Sequence, residues 1–380
     1  MRIEKKKVLH VINSLAPGGA EILLTNSLSP GGLCEHTENH LAFFMLPDLV
    51  PQLDKKVHVH FLDYKGGKDI FRLLNQLRRI IRKNKIDLVH SHLNPAGTYT
   101  HMVCPKNIPH VHTIHTTYSM DKETNRFKLW AEKVFYLKRK NCNLILLSDY
   151  TKEDFLQHVS FKGRAFVLNN FVPDAFFEVQ RNAVPKPLQD LKLVAIGTLR
   201  APKNFEYLLQ IFKYLKEKPI SLDIFGGGNA APYKKLIREN GLAVRMMGHS
   251  GNLQETISGY DLFIMSSLFE GFPLSLFEAM AAGIPLMISN IAPLKSIVKQ
   301  HAIYFELDDA AKAAAQLVDI LQNRIDINAM ATEAKAYAEK TVKRDIYINK
   351  LLEIYKEVLE NNDLKMALQG TQKDNRIHDK

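Results

Sequence analysis

Two carboxylates eight residues apart are the first sign of chemistry in this chain. Glu270 stands in Ser266-Ser267-Leu268-Phe269-Glu270-Gly271-Phe272-Pro273, and Glu278 follows in Leu274-Ser275-Leu276-Phe277-Glu278-Ala279-Met280-Ala281-Ala282-Gly283-Ile284-Pro285. The Gly and Pro of the first block make a turn, and the second block reads as a helix. A helix beginning here turns the amides of Leu274, Ser275 and Leu276 outward at a positive end, with Ser275 expected as its cap, so a diphosphate fits there. From the turn, Glu270 can accept hydrogen bonds from sugar hydroxyls, while Glu278 can take both hydroxyls of a ribose. Between them they would grip opposite ends of one nucleotide-sugar.

A diphosphate leaving group also needs positive charge. Ile196-Gly197-Thr198-Leu199-Arg200-Ala201-Pro202-Lys203-Asn204-Phe205 supplies it from a turn after another apolar run. Arg200 and Lys203 at the start of a helix would neutralise the diphosphate without a metal. Two glycine turns accompany these cations. Phe225-Gly226-Gly227-Gly228-Asn229 follows one strand-like run, where a plain tight turn explains the triplet equally well. Ser14-Leu15-Ala16-Pro17-Gly18-Gly19-Ala20-Glu21 follows another, where Gly18 and Gly19 let backbone amides approach a phosphate or an acceptor closely. The dinucleotide fingerprint Gly-x-Gly-x-x-Gly is absent, which counts against a dehydrogenase. Histidines cluster at strand ends, His90 and His92 in one, His110, His112 and His115 in the next. No carboxylate or cysteine completes a ligand set nearby, and no Asp-x-Asp triplet occurs, so neither a metal nor another cofactor is expected.

These residues must be carried by a scaffold. Short apolar runs alternate with amphipathic stretches, the pattern of parallel strands joined by crossover helices. The strands expected are Val8–Val11, Leu41–Met45, His58–Phe61, Leu88–His90, His110–Ile114, Leu144–Leu147 and Ala165–Leu168, then Leu193–Ile196, Ser221–Phe225, Val244–Met247, Leu262–Met265 and Pro285–Ser289. A turn-rich, Pro-interrupted stretch separates the two sets. At 380 residues the chain exceeds what one core usually serves. The division expected is an N-terminal Rossmann-like domain over 1–170, a linker over 171–191, a second such domain over 192–344, a closing helix over 345–362 and a polar tail over 363–380.

Composition bounds the class. Hydrophobic residues make up 46% and charged residues 24%, and no apolar run is long enough to cross a membrane. The start, with Lys5, Lys6 and Lys7 before a short apolar run, reads as a first strand rather than a signal peptide. Three scattered cysteines, Cys34, Cys104 and Cys142, fit a reducing cytoplasm better than a disulfide framework. Of the net +11, residues 1–180 carry +8, with 25 basic residues against 17 acidic. Two helical stretches, 69–85 and 122–140, concentrate that charge. They read as solvated outer faces or as a surface for anionic lipid or a phosphate-bearing acceptor. No nucleic-acid motif accompanies the charge.

The segment from Glu270 to Pro285 resembles the paired-Glu signature of retaining glycosyltransferase family 4, Glu-Gly-Phe-Pro-x-x-x-x-Glu-Ala-Met-Ala-x-Gly-x-Pro. Gly18-Gly19-Ala20-Glu21 is similar to a second element of that family. The resemblance implies a GT-B fold, α/β, with two Rossmann-like domains facing each other across a cleft. It implies that Glu270 contacts the donor sugar and Glu278 the ribose, and that Lys203, with Arg200 in place of an Arg found two residues earlier, contacts phosphate. Gly18 and Gly19 would face the donor, His115 would lie near the reacting carbon, and His92 on the acceptor side. Donor-binding residues are then Gly18, Gly19, Gly226, Gly227, Gly271, Phe272, Pro273, Leu274, Ser275 and Glu278. The activity implied is retaining transfer from a nucleotide-sugar, UDP-linked by preference, to a glycan or lipid-linked glycan, in the cytoplasm or at the inner face of the membrane. A nucleotide-sugar epimerase or phosphorylase of the same architecture, and a non-catalytic glycan-binding protein, stay open.

Overall fold

The computed structural model describes residues 5–16, 18–46, 52–115, 142–180, 189–250 and 252–375, with side chains described as far as Leu364. The chain divides into two compact units, Met1–Asn170 with Arg344–Lys380, and Phe171–Lys343. The expected basic helix over 122–140 lies outside the described residues, as do 181–188 of the expected linker.

The first unit is built on a seven-stranded parallel sheet in the order β3-β2-β1-β4-β5-β6-β7. Its strands are β1 (Lys7–Ile12), β2 (Glu38–Phe43), β3 (His58–Phe61), β4 (Leu88–His92), β5 (His110–Ile114), β6 (Cys142–Leu146) and β7 (Arg164–Val167). The described helices are α1 (Gly19–Ser27), α2 (Ile70–Lys83), α3 (Ala96–Val103), α4 (Asp149–His158) and, from the C-terminus, α12 (Arg344–Asn375). Central strands such as β4 and β6 are buried along their whole length, as expected where helices cover both faces of a parallel sheet. α2 shows how charge and packing divide. Leu73, Leu74, Leu77 and Ile81 are buried, whereas Arg79, Arg82 and Lys83 are exposed. Truncating Leu77 to Ala would cost about 2–5 kcal/mol.

The second unit carries a six-stranded parallel sheet in the order β10-β9-β8-β11-β12-β13. Its strands are β8 (Leu191–Ile196), β9 (Ile220–Phe225), β10 (Val244–Gly248), β11 (Leu262–Met265), β12 (Leu286–Ser289) and β13 (Ile303–Phe305). The helices are α5 (Phe205–Lys213), α6 (Ala231–Asn240), α7 (Leu253–Ile257), α8 (Leu274–Ala281), α9 (Ala292–Val298), α10 (Ala310–Leu321) and α11 (Ile327–Thr341). Leu208, Ile211 and Phe212 of α5 pack with Leu193, Leu222 and Ile264 of the sheet in one core.

Every strand expected from the sequence is present, within a few residues at its ends. β13 was not expected, and α12 continues to Asn375 where a polar tail was expected to begin at 363. Among the described residues no helix is long and apolar enough to cross a membrane.

Candidate active site

In both sheets the strand order reverses beside the first strand of the unit, between β1 and β4 and between β8 and β11. Ligands of open parallel sheets bind outside the carboxyl ends of the strands at such a reversal. In the second unit the two loops that leave this point are those of Arg200–Lys203 and Glu270.

Those loops are stitched together. Ser266 Oγ donates to the carbonyls of Lys203 (3.2 Å) and Asn204 (2.8 Å), and the Leu268 amide donates to the Pro202 carbonyl at 2.8 Å. Ser289 Oγ fixes the Ser267 carbonyl at 2.7 Å. Asn204 takes a left-handed conformation (φ 51°), turning the chain from the short 3-10 turn at Ala201–Lys203 into α5. The Lys203 stem then runs back over Gly197, where a Cβ would stand 3.2 Å from its Cε.

This path brings Lys203 Nζ to 2.6 Å from Glu270 Oε1, and Ser267 Oγ donates to the same oxygen at 2.6 Å. Glu270 is 8% exposed. The ion pair is therefore charge-assisted and largely out of water. Ser267 had no signal in the sequence, since its role depends on the turn bringing it back onto Glu270.

Glu278 lies on α8, partly exposed, and burial of its carboxyl pushes its pKa up to about 7. Ser275 does not cap this helix. Pro273 is the N-cap residue and offers no side-chain bond, while Ser275 lies inside the first turn and its hydroxyl donates to the Ile196 carbonyl at 3.1 Å. The amide of Leu276 is engaged by the Pro273 carbonyl at 3.2 Å. The amides of Leu274 and Ser275 belong to the helix end that has no intrahelical acceptor. Phe272 is buried, its ring stacked on Phe277 at 4.4 Å, so it anchors the turn that holds Gly271 and Pro273.

Gly226 approaches the end of β8 so closely that a Cβ there would collide with the Gly197 carbonyl oxygen, and Leu199 donates to the Gly227 carbonyl at 2.8 Å. The glycine turn and the Arg200–Lys203 turn are thus locked together. Arg200 is exposed and has no side-chain bond with any described residue.

In the first unit, Gly18 is the extended N-cap of α1, and Glu21 folds its carboxylate back onto it. Asn13, after β1, ties the neighbouring loop by donating to the Asn94 carbonyl (2.8 Å) and accepting from the Ala96 amide (2.9 Å). A row of histidine rings crosses the strand ends: His10 to His90 at 5.6 Å, His90 to His92 at 4.1 Å and His92 to His115 at 5.9 Å. Burial drives all of them toward the neutral form, with His10 and His115 lowered to about 4. His90 is fixed by the Tyr355 hydroxyl (2.6 Å) and Thr113 Oγ1 (2.7 Å). His92 is buried, and neither of its nitrogens has a described partner. His110 and His112 share Ser91 Oγ at 2.7 and 2.9 Å. The sequence reading missed the neighbours that could complete a ligand set. His10 lies with His90 and His92, and Cys142 with His101 and His110, the possible ligand atoms of each group within 4.8 Å of one another. Strand pairing assembles both groups from distant segments.

Residues 176–341 match the model of glycosyl transferases group 1, and residues 17–176 match that of glycosyltransferase family 4. The chain belongs to glycosyltransferase family 4. A curated relative, the UDP-Gal:alpha-D-GlcNAc-diphosphoundecaprenol alpha-1,3-galactosyltransferase of Escherichia coli, is 23% identical over 77% of this chain and 81% of its own length. Among solved structures, sucrose-phosphate synthase from Thermosynechococcus elongatus superposes with a TM-score of 0.77 at 15% identity, covering 94% of this chain and 100% of that one. Anabaena HepE in complex with UDP and glucose gives 0.72 at 16% identity, covering 93% and 100%. The glycosyltransferase has the GT-B fold, and Glu270, Glu278 and Lys203 lie within the residues matched to group 1.

Proposed function

We propose that this glycosyltransferase moves a sugar from a UDP-sugar, with retention of anomeric configuration, onto a hydroxyl of a lipid-linked glycan during surface polysaccharide assembly. The observation that carries the reading is the Glu270–Lys203 pair at 2.6 Å, set beside the first turn of α8 with the desolvated Glu278 on the same helix. The donor is assigned to the second unit. Glu278 takes the ribose hydroxyls, the amides of Leu274 and Ser275 with Lys203 and Arg200 take the diphosphate, and Glu270 takes the sugar. The bond from the anomeric carbon to the diphosphate oxygen breaks as the acceptor oxygen bonds that carbon from the same face, the hydroxyl proton passes to the departing diphosphate, and the charge the diphosphate gains is met by fixed donors. Gly18, Gly19, His92 and His115 of the first unit are assigned to the donor's reacting end and the acceptor. His115, held neutral by burial, can then exchange a hydrogen bond without adding charge. The UDP donor and lipid-diphosphate acceptor named for the E. coli relative, and the UDP bound by HepE, support this choice. The exposed basic face of α2 supports the working place at an anionic membrane surface.

The test is a thermal-shift titration with UDP, GDP and ADP, with and without EDTA, followed by incubation of UDP-sugars with a polyprenyl-diphosphate-linked sugar. A shift with UDP alone, indifferent to EDTA, and an α-linked product from an α-linked donor are expected. Consumption of donor without acceptor would point to an epimerase, and a bound nucleotide with no turnover to a glycan-binding protein.

A further inference from the structure

The first strands of the N-terminal sheet bring together side chains that the transfer reaction does not use. Glu38 and His40 lie at the start of β2, and His58 at the start of the edge strand β3, in register with His40. These are the amino ends of parallel strands, opposite the carboxyl ends that carry the candidate active site.

Possible ligand atoms of Glu38, His40 and His58 all lie within 4.8 Å of one another. His40 Nε2 stands 3.3 Å from Glu38 Oε1, and His58 Nε2 stands 4.0 Å from the same oxygen. Zinc bonds nitrogen and oxygen at about 2.0–2.2 Å, so the edge of its tetrahedron is about 3.3 Å. His40 and Glu38 already hold that spacing. The His58 side chain is 57% exposed and stacks on His40 at 4.6 Å, so its ring can close the rest by a small movement.

The arrangement behind His40 is that of a metal ligand. Its Nδ1 lies 3.1 Å from His60 Nε2, a hydrogen-bond partner of the kind that fixes the ring of a coordinating histidine. Lys7 Nζ, 3.4 Å from Glu38 Oε1, now balances the carboxylate, and a divalent ion would take over that task. The buried group of His10, His90 and His92 lacks this character, because it would enclose two positive charges with no carboxylate in the set.

We propose that Glu38, His40 and His58 form a binding site for a divalent transition metal of the zinc class, with His60 as the positioning partner of His40. Two imidazoles and one carboxylate are borderline ligands that suit zinc rather than magnesium or calcium. The fourth position is left to water, and the ion ties the edge strand β3 to β2.

Cobalt titration of the full chain tests this. One Co²⁺ per chain should bind with the visible absorption of a four-coordinate ion and be displaced by Zn²⁺. His58→Ala and Glu38→Gln, both at accessible positions, should each weaken binding at least tenfold while the circular dichroism spectrum is kept. His60→Ala should weaken it by about 10- to 100-fold. Cobalt binding unchanged in His58→Ala and Glu38→Gln would overturn the proposal. So would a thiolate-to-cobalt charge-transfer band, which would assign the ion to a cysteine-containing site such as that of His101, His110 and Cys142, or no binding of either ion at millimolar concentration.

Discussion

Replacing Glu278 by Gln should stabilise the protein and weaken it as a nucleotide binder at once. Burial raises the Glu278 carboxyl from 4.5 to about 7. Between those values the folded state holds a proton that the unfolded chain releases, so stability falls as pH rises through this window. At about 1.4 kcal/mol per pH unit the full cost is about 3 kcal/mol above pH 7.5, reduced toward 2 because part of the side chain still meets water. Gln cannot ionise, so the variant avoids that cost. For a unit of this size each kcal/mol shifts the melting temperature by about 2–4 °C, giving a rise of about 4–8 °C at pH 8.5 and almost none at pH 4.5. With the ribose placed on Glu278 as proposed, the lost charge also weakens those hydrogen bonds, each worth about 1.5–3 kcal/mol with an ionised acceptor, so UDP affinity should fall about tenfold or more. Melting curves at both pH values and calorimetry with UDP read the two effects. A variant no more stable than the parent at pH 8.5, or one that binds UDP equally well, would refute the reasoning.

Three further outcomes follow from the same geometry. Lys203→Met leaves Glu270 buried and unpaired, so it should cost about 3–5 kcal/mol in a urea titration. Adding Glu270→Gln should recover most of that stability while turnover stays about 10²- to 10³-fold down in a transfer assay. Arg200→Ala should leave the urea midpoint within about 0.5 kcal/mol, since the side chain is exposed, yet weaken UDP about tenfold at low salt, as calorimetry would record. The first unit should fail first in acid. His10 and His115, lowered to about 4, and His112, lowered to about 3, gain protons more readily when unfolded, so stability is lost as pH falls from 6.5 toward 4. Proteolysis mapped by mass spectrometry at pH 7 and pH 4.5 should show new cuts near β1, β4 and β5 ahead of any in β8 to β12.

How far the sequence revealed this molecule follows from where each signal resides. β11 was legible to the residue because Leu262–Met265 is an apolar run buried on both faces. β13 was not, because three residues flanked by polar turns carry no period and owe their strand to pairing with β12. The paired glutamates were legible as a local pattern, whereas Ser275 misled. Ser is a common cap, but here its hydroxyl is drawn to the free carbonyl of Ile196 at the end of β8, seventy-nine residues away. The histidines of β4 and β5 were visible as local repeats, but the groups they join and the Glu38 cluster had no local signal. Strand register, which sets His10 beside His90 and His40 beside His58, creates them.

The charge balance in the second unit ties these observations together. Glu270 Oε1 receives both Lys203 and Ser267, so the carboxylate is held by one oxygen and its orientation is set. Lys203 is committed to the same oxygen and cannot by itself neutralise an arriving diphosphate without loosening that hold. A second source of positive potential is therefore required. On the proposed donor placement, the helix end at Leu274 and Ser275 would supply a fixed part of it, and Arg200, exposed and without a described partner, the movable part. Under the proposed function the rigid pair would then set where the sugar goes, and the softer cation how tightly the diphosphate is held. Substitutions at Glu270 and Arg200 should accordingly separate turnover from donor affinity.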